Sequence, residues 1–301
     1  MKRIISLFLL ASTLLCGCAK TAPDDEINIV ATVFPAFTLA ESAAGENATV
    51  SMLLDPGTEI HNFEPTASDI KKIENADIFI YTGGESDTWI ESVLAGLDRD
   101  IEIIKMTDHS TLIYEHEEHG DHSHKGHADE HVWLSPENAK SITTAIAQTL
   151  AKIDGENASA YMKNAESFCA EVDTLAAETA AVIAAAQNKT LVVADRFPLK
   201  YFCDYFSLPA IAAFDACDHF SDASAKTVLR LIKTVENEGL SHVFYLENGS
   251  GYLADTVCEE TGAEKLIFHS MHTVSREDFS RGVTYLDIMR QNIAALDWGL
   301  N

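Results

Sequence analysis

The chain has 301 residues, 47% of them hydrophobic and 23% charged, which is the balance of a folded globular protein and excludes wholesale disorder. Asp and Glu number 47 against 21 Lys and Arg, a formal net charge of −26. A surface that acidic repels phosphate backbones and argues against nucleic acid as a partner.

The first residues read as an address. Met1-Lys2-Arg3 is basic, and residues 4–15 form an apolar run of signal-peptide length, too short to span a bilayer. The run ends in Leu15-Cys16-Gly17-Cys18, which resembles a lipobox: an aliphatic residue, a small pair, then the cysteine that receives lipid. On this reading residues 1–17 are a signal peptide, Cys18 carries the lipid and residues 18–25 are a tether. The alternative is an ordinary secretory signal with an incidental cysteine. No later stretch approaches 18 uninterrupted apolar residues, so the lipid is the expected membrane attachment.

Beyond the tether the pattern predicts a strand over 26–34, a helix over 36–44 and a second strand over 49–54. A helix over 67–76, a strand over 77–81, a helix over 87–97 and a strand over 101–105 follow. Ser135-Pro136 is a strong helix start, with Ser as N-cap and Pro in the first turn, and that helix should reach residue 153. Residues 157–187 lack Gly and Pro and are rich in Ala; as one helix they would span about 45 Å, a spine between two bodies. A second series follows: strands over 190–194, 211–214, 242–246 and 265–268, and helices over 223–237, 252–261 and 283–296. Such alternation argues for βαβ units. The expected fold is α/β, with two lobes of mainly parallel sheet, 26–153 and 189–301, bridged by one long rigid helix within 154–188.

Four cysteines follow Cys18: Cys169, Cys203, Cys217 and Cys258. Their spacing matches neither a metal knuckle nor a redox motif, which leaves both free thiols and bridges open.

The twelve histidines are clustered. His109, His116, His119, His122, His124 and His127 lie in an acidic, low-complexity loop over 108–130 that lacks the apolar pattern of a packed segment. Imidazoles suit Zn²⁺, Cu²⁺ and Ni²⁺, and a loose cluster offers weak, interchangeable sites; a solvated loop without metal is the bland alternative. His61 lies just past the second strand, and His131 lies between the acidic loop and the helix start. Glu247 and His269 each end a strand, and His272 follows three residues on. Open α/β sheets bind ligands at the carboxyl ends of their strands, and three His with one carboxylate complete a tetrahedral zinc shell. A shared site in the cleft between the lobes is therefore expected. His242 begins its strand, at the wrong end, and His219 lies in a polar loop; both are read as structural or surface residues.

The stretches GTEIHNFEPTASD (57–69), EHVWLSP (130–136) and VTYLDIMRQN (283–292), with the acidic His-rich loop between the first two, resemble the zinc-binding lipoproteins of bacterial ABC uptake systems, in the metal-binding group of solute-binding proteins. The resemblance covers nearly the whole mature chain. It implies two α/β lobes bridged by a rigid helix, Zn²⁺ carried as cargo in the cleft, and a permease with its ATPase subunit as partners of a monomeric receptor. It also implies His61 and His131 as ligands. The second lobe departs from the family: where many members have a His after a strand, this chain has Ala194 followed by Asp195, and the family's acidic fourth ligand falls near His269-Ser270-Met271-His272. We expect a His lost at one position to be replaced at the other. His269 and Glu247 are then the expected second-lobe ligands, with His272 and Asp195 as alternatives and Glu247 also able to serve only as a support.

Other functions find less in the sequence. A zinc hydrolase would show an HExxH helix or a comparable catalytic motif, and none is present. A manganese or ferrous receptor would favour more carboxylates and leave the His loop unexplained. An adhesin would be suggested by repeats or a stalk, which are absent.

Overall fold

The computed structural model describes residues 26–58, 63–114, 128–216, 223–247 and 249–301. Cys18, His61, Cys217, His219 and the loop histidines His116, His119, His122, His124 and His127 lie outside the described residues. In the first lobe β1 (Ile27–Ala31), α1 (Phe34–Ala44), β2 (Ala48–Met52), α2 (Ala67–Glu74), β3 (Ile78–Tyr81), α3 (Thr88–Leu94) and β4 (Glu102–Lys105) follow in order. The strands form one parallel sheet in the order β2-β1-β3-β4. All four residues of β3 are buried, as expected of a central parallel strand covered on both faces.

Two helices come next, α4 (Pro136–Ile153) and α5 (Ala158–Ala185). The second lobe contains β5 (Leu191–Val193), α6 (Lys200–Phe206), β6 (Ala210–Ala212), α7 (Ala225–Glu238), β7 (His242–Leu246), α8 (Tyr252–Thr261), β8 (Glu264–Phe268), α9 (Arg276–Ser280) and α10 (Tyr285–Gly299). Its parallel sheet has the order β6-β5-β7-β8. In each sheet the chain moves to one side after the first strand and returns to the other side, so β1/β3 and β5/β7 are topological switch points, where such sheets bind ligands.

The expected alternation is present, with local differences. Pro35 sits in the first turn of α1, where its missing N–H costs nothing, so the helix starts at Phe34 and the strand before it stops at Ala31. The two short helices α6 and α9 were not expected. Capping sets several starts: Ser135 accepts from the Asn138 N–H, and Thr66/Asp69 and Thr284/Asp287 form reciprocal capping boxes.

The 28 residues of α5 give a helix about 42 Å long. It packs along α4, α1 and α10. Its first turns are tied to the first lobe, with the Tyr161 hydroxyl donating to the Asn47 carbonyl at 3.0 Å and Asn164 donating to the Ala43 carbonyl at 3.2 Å. Further along, Phe168 meets Tyr285 of α10 edge-on, with ring centroids 5.6 Å apart. One hydrophobic cluster runs through both lobes, from Ile29 and Phe79 through Trp133 and Tyr285 to Phe202 and Phe268. The lobes are therefore joined by shared packing as well as by the spine.

Cys169, Cys203 and Cys258 are free thiols, and burial pushes the Cys203 thiol up to about 12, which makes it inert. No described helix is long and apolar enough to cross a membrane.

Candidate metal centre

The site lies where the carboxyl ends of the two sheets face one another. His131 begins the turn Val132–Leu134 that leads into α4, and it is 1% exposed. Asp129 fixes it twice: its Oδ1 accepts from the His131 backbone N–H at 2.8 Å and faces Nδ1 at 3.0 Å. In neutral imidazole the proton then sits on Nδ1, which leaves the Nε2 lone pair for a ligand. Burial pulls the His131 pKa down, but the Asp129 carboxylate, with Glu130 beside it, outweighs burial and raises it above the usual histidine value.

Trp133 connects this turn to the second lobe. It is fully buried, its Nε1–H donates to the Ser270 carbonyl at 2.9 Å, and its own carbonyl accepts from the Tyr285 hydroxyl at 2.9 Å. Tyr201 of α6 makes a second crossing, donating to the Asp129 carbonyl at 2.9 Å and accepting from the Ile113 N–H at 3.1 Å. A third runs from the Gly57 N–H to Thr273 Oγ1 at 3.0 Å.

The segment after β8 supplies the opposing imidazole. Met271 is fully buried and takes φ +60°, an uncommon left-handed turn for a non-glycine residue. Past this turn the His272 ring lies 4.9 Å from the His131 ring at 85°, and both stand beside Trp133 at 5.4 and 5.7 Å. His272 Nε2 is 3.9 Å from Glu130 Oε1. One ligand atom each from Glu130, His131 and His272 lie within 4.8 Å of one another.

The other expected ligands are placed differently. His269 does not line the cleft that His131, His272 and Glu247 line. Its backbone is clamped on both sides by the buried Asn292 of α10, at 2.8 and 2.9 Å, and its ring interacts electrostatically with Glu247 and with Asp278 of α9. Strand-end position favours His269, but it is His272, past the Met271 turn, that lies beside His131. Glu247 lines the cleft, with its carboxylate accepting from the Ser270 N–H at 2.8 Å and hydroxyl at 2.9 Å. Burial raises its pKa. Ser270 Oγ in turn accepts from the His272 N–H at 3.2 Å, so Glu247 braces the loop that carries His272. Asp195 spends both oxygens on backbone N–H groups, of Arg196 at 2.8 Å and Leu246 at 3.3 Å, and ties the ends of β5 and β7 together. The exposed His109 ends a short helical turn after β4. His242 meets the Ser241 hydroxyl and the exposed Trp298 at the far end of its strand, as its position implied.

Glu130 was not singled out in the sequence, where it is one acid among many, yet it is buried. So is Asp87, whose Oδ2 accepts from the Gly83 N–H at 2.8 Å. Burial, reinforced by the Glu130 charge, pushes the Asp87 carboxyl up to about 7. A carboxyl raised in the fold stabilises it fully below its unfolded pKa, near 3.9, and that contribution is lost as pH rises through about 7. Asp87→Asn should therefore stabilise the metal-free chain at pH 8 by up to about 4 kcal/mol, with the gain shrinking towards pH 4. Thermal melts across that range test it; a variant less stable than the parent at pH 8 would mean the ionised carboxylate supports the fold.

Comparison with known proteins agrees with this fold. The family model described as "Zinc-uptake complex component A periplasmic" matches residues 29–298. The zinc-binding lipoprotein AdcA of Streptococcus pneumoniae (strain ATCC BAA-255 / R6) is 30% identical over 300 residues, covering 97% of this chain but 58% of AdcA, so the chain spans little more than half of that relative. The high-affinity zinc uptake system protein ZnuA of Bacillus subtilis (strain 168) is 25% identical, covering 98% of this chain and 97% of ZnuA. The crystal structure of the Zn(II)-bound ZnuA-like domain of S. pneumoniae AdcA superposes with a TM-score of 0.76 at 27% identity, covering 92% of this chain and 99% of that domain. Two parallel α/β lobes, a cleft holding paired imidazoles and a family match across nearly the whole chain lead to one assignment: the protein belongs to the periplasmic component A family of zinc-uptake complexes.

Proposed function

We propose that this protein is an extracytoplasmic receptor that captures Zn²⁺ in the cleft between its lobes and delivers it to a membrane ABC permease driven by an ATPase subunit. The observation that carries the reading is the approach of His131 and His272, one from each lobe, with rings 4.9 Å apart. Imidazole nitrogen is a preferred zinc donor, and the Asp129–His131 contact is the outer-shell arrangement that orients ligating histidines. His131 and His272 are two of the protein ligands in this reading. His61 is a third, on the resemblance of its sequence stretch, and a carboxylate completes the shell. The receptor acts as a monomer, held at the outer face of the membrane by lipid on Cys18. Residues 26–153 and 189–301 are its two lobes.

The acidic His-rich loop is an accessory collector in this reading. Tyr114 and Ala128 pair as an antiparallel bridge, so residues 115–127 can be replaced by a short turn without stretching the chain. Zinc-buffered titration of that deletion is expected to retain one tight site and lose only weak additional binding. Loss of tight binding would move the site to the loop and overturn the cleft assignment.

A further inference from the structure

We infer that Glu130 is the carboxylate that completes the zinc shell, in preference to Glu247 or Asp195; this rests on the receptor reading above. Among the described residues it is the carboxylate that forms a metal-sized group with His131 and His272, all ligand atoms lying within 4.8 Å. Tetrahedral ligands about 2.1 Å from zinc stand roughly 3.4 Å apart, so the separations within the group need to contract by at most about 1.4 Å. Glu247 and Asp195 form no such group with the two histidines among the described residues.

The surroundings of Glu130 hold its carboxylate in a fixed position. The Ser86 N–H donates to Oε2 at 3.2 Å and the Ser86 hydroxyl donates to Oε1. Each carboxylate oxygen has two lone-pair sites, so these bonds leave acceptor capacity towards His272. Gly84 makes the room: a Cβ there would collide with the Glu130 carboxylate and its Cβ. Glu130, Asp87 and Asp129 are all at most 4% exposed. Arg196 acts electrostatically on His131, and Lys105 acts on Asp87. A divalent cation between Glu130, His131 and His272 would meet one carboxylate and two imidazoles within the reach of a single ion.

The test is Glu130→Gln in the full mature chain, read by chelator competition for Zn²⁺ and by the visible absorption of bound Co²⁺. Zinc affinity is expected to fall at least about 100-fold, and the Co²⁺ spectrum to change in position and intensity, because an amide oxygen is a weaker, neutral donor. The metal-free melting temperature should not drop, since the change removes a buried charge. Glu130→Asp keeps the charge but retracts it by one methylene; it is expected to bind zinc at least about tenfold more weakly, and it decides the matter if the Gln variant does not fold. Zinc affinity within threefold of the parent and an unchanged Co²⁺ spectrum in either folded variant overturns the inference. If His131→Ala and His272→Ala still abolish tight binding in that case, the receptor reading stands and only the role of Glu130 fails; if those variants also bind normally, the cleft reading itself fails.

Discussion

His131→Ala and His272→Ala should each weaken Zn²⁺ binding about a thousand-fold or more, roughly 4 kcal/mol. In the proposed shell each histidine supplies one nitrogen, and among the described residues Asp129 Oδ1 already orients His131 while Glu247 already holds Ser270. His269→Ala should stay within about threefold of the parent, because that residue lies outside the cleft lining. A zinc-buffered titration of the three variants side by side gives the answer. A crippled His269 variant beside a silent His272 variant would restore the order that strand-end position alone suggests.

Trp133→Ala is the largest expected change in stability. The side chain is fully buried at the junction of the lobes, so truncation should cost about 3–5 kcal/mol through lost burial and the cavity left behind. It also strands the Ser270 carbonyl, which accepts from the Trp133 indole. The same carbonyl belongs to the loop that carries His272, so zinc affinity should fall together with stability. Trp133→Phe keeps much of the ring packing and loses the hydrogen bond, and should cost about 1–3 kcal/mol. Denaturant melts of the metal-free variants measure both. A Trp133→Ala protein as stable as the parent would mean that the indole contributes little to holding the lobes together.

The architecture was legible because its signals are local. The strands β1, β3, β5 and β7 are short apolar runs between helices with recognisable starts, such as Ser135-Pro136 and the Thr284 box. The Gly- and Pro-free stretch announced α5. What could not be read was how the lobes meet. The helix α6 has seven residues, too few for a periodicity to show, yet its Tyr201 crosses to the Asp129 carbonyl. The shared core likewise gathers residues such as Phe34 and Phe268 into one cluster, which depends on folding at long range.

The site shows the same division. His131 was legible from its setting, a polar loop turning into Val132-Trp133-Leu134. The choice between His269 and His272 was not, because it depends on a backbone angle: the positive φ of Met271 has no glycine to signal it. Glu130 was hidden for a different reason. In sequence it belongs to an acidic run, and only the close approach of Gly84 and Ser86 shows that this acid faces inward.

The most direct test of zinc capture in the cleft is anomalous scattering at the zinc edge, from crystals of the mature chain grown with one equivalent of Zn²⁺. We expect a single strong peak bonded to His131 Nε2 and to the His272 imidazole, about 2.0–2.1 Å from each nitrogen. A peak confined to residues 115–127, or one that leaves His131 and His272 uncoordinated, would contradict the account.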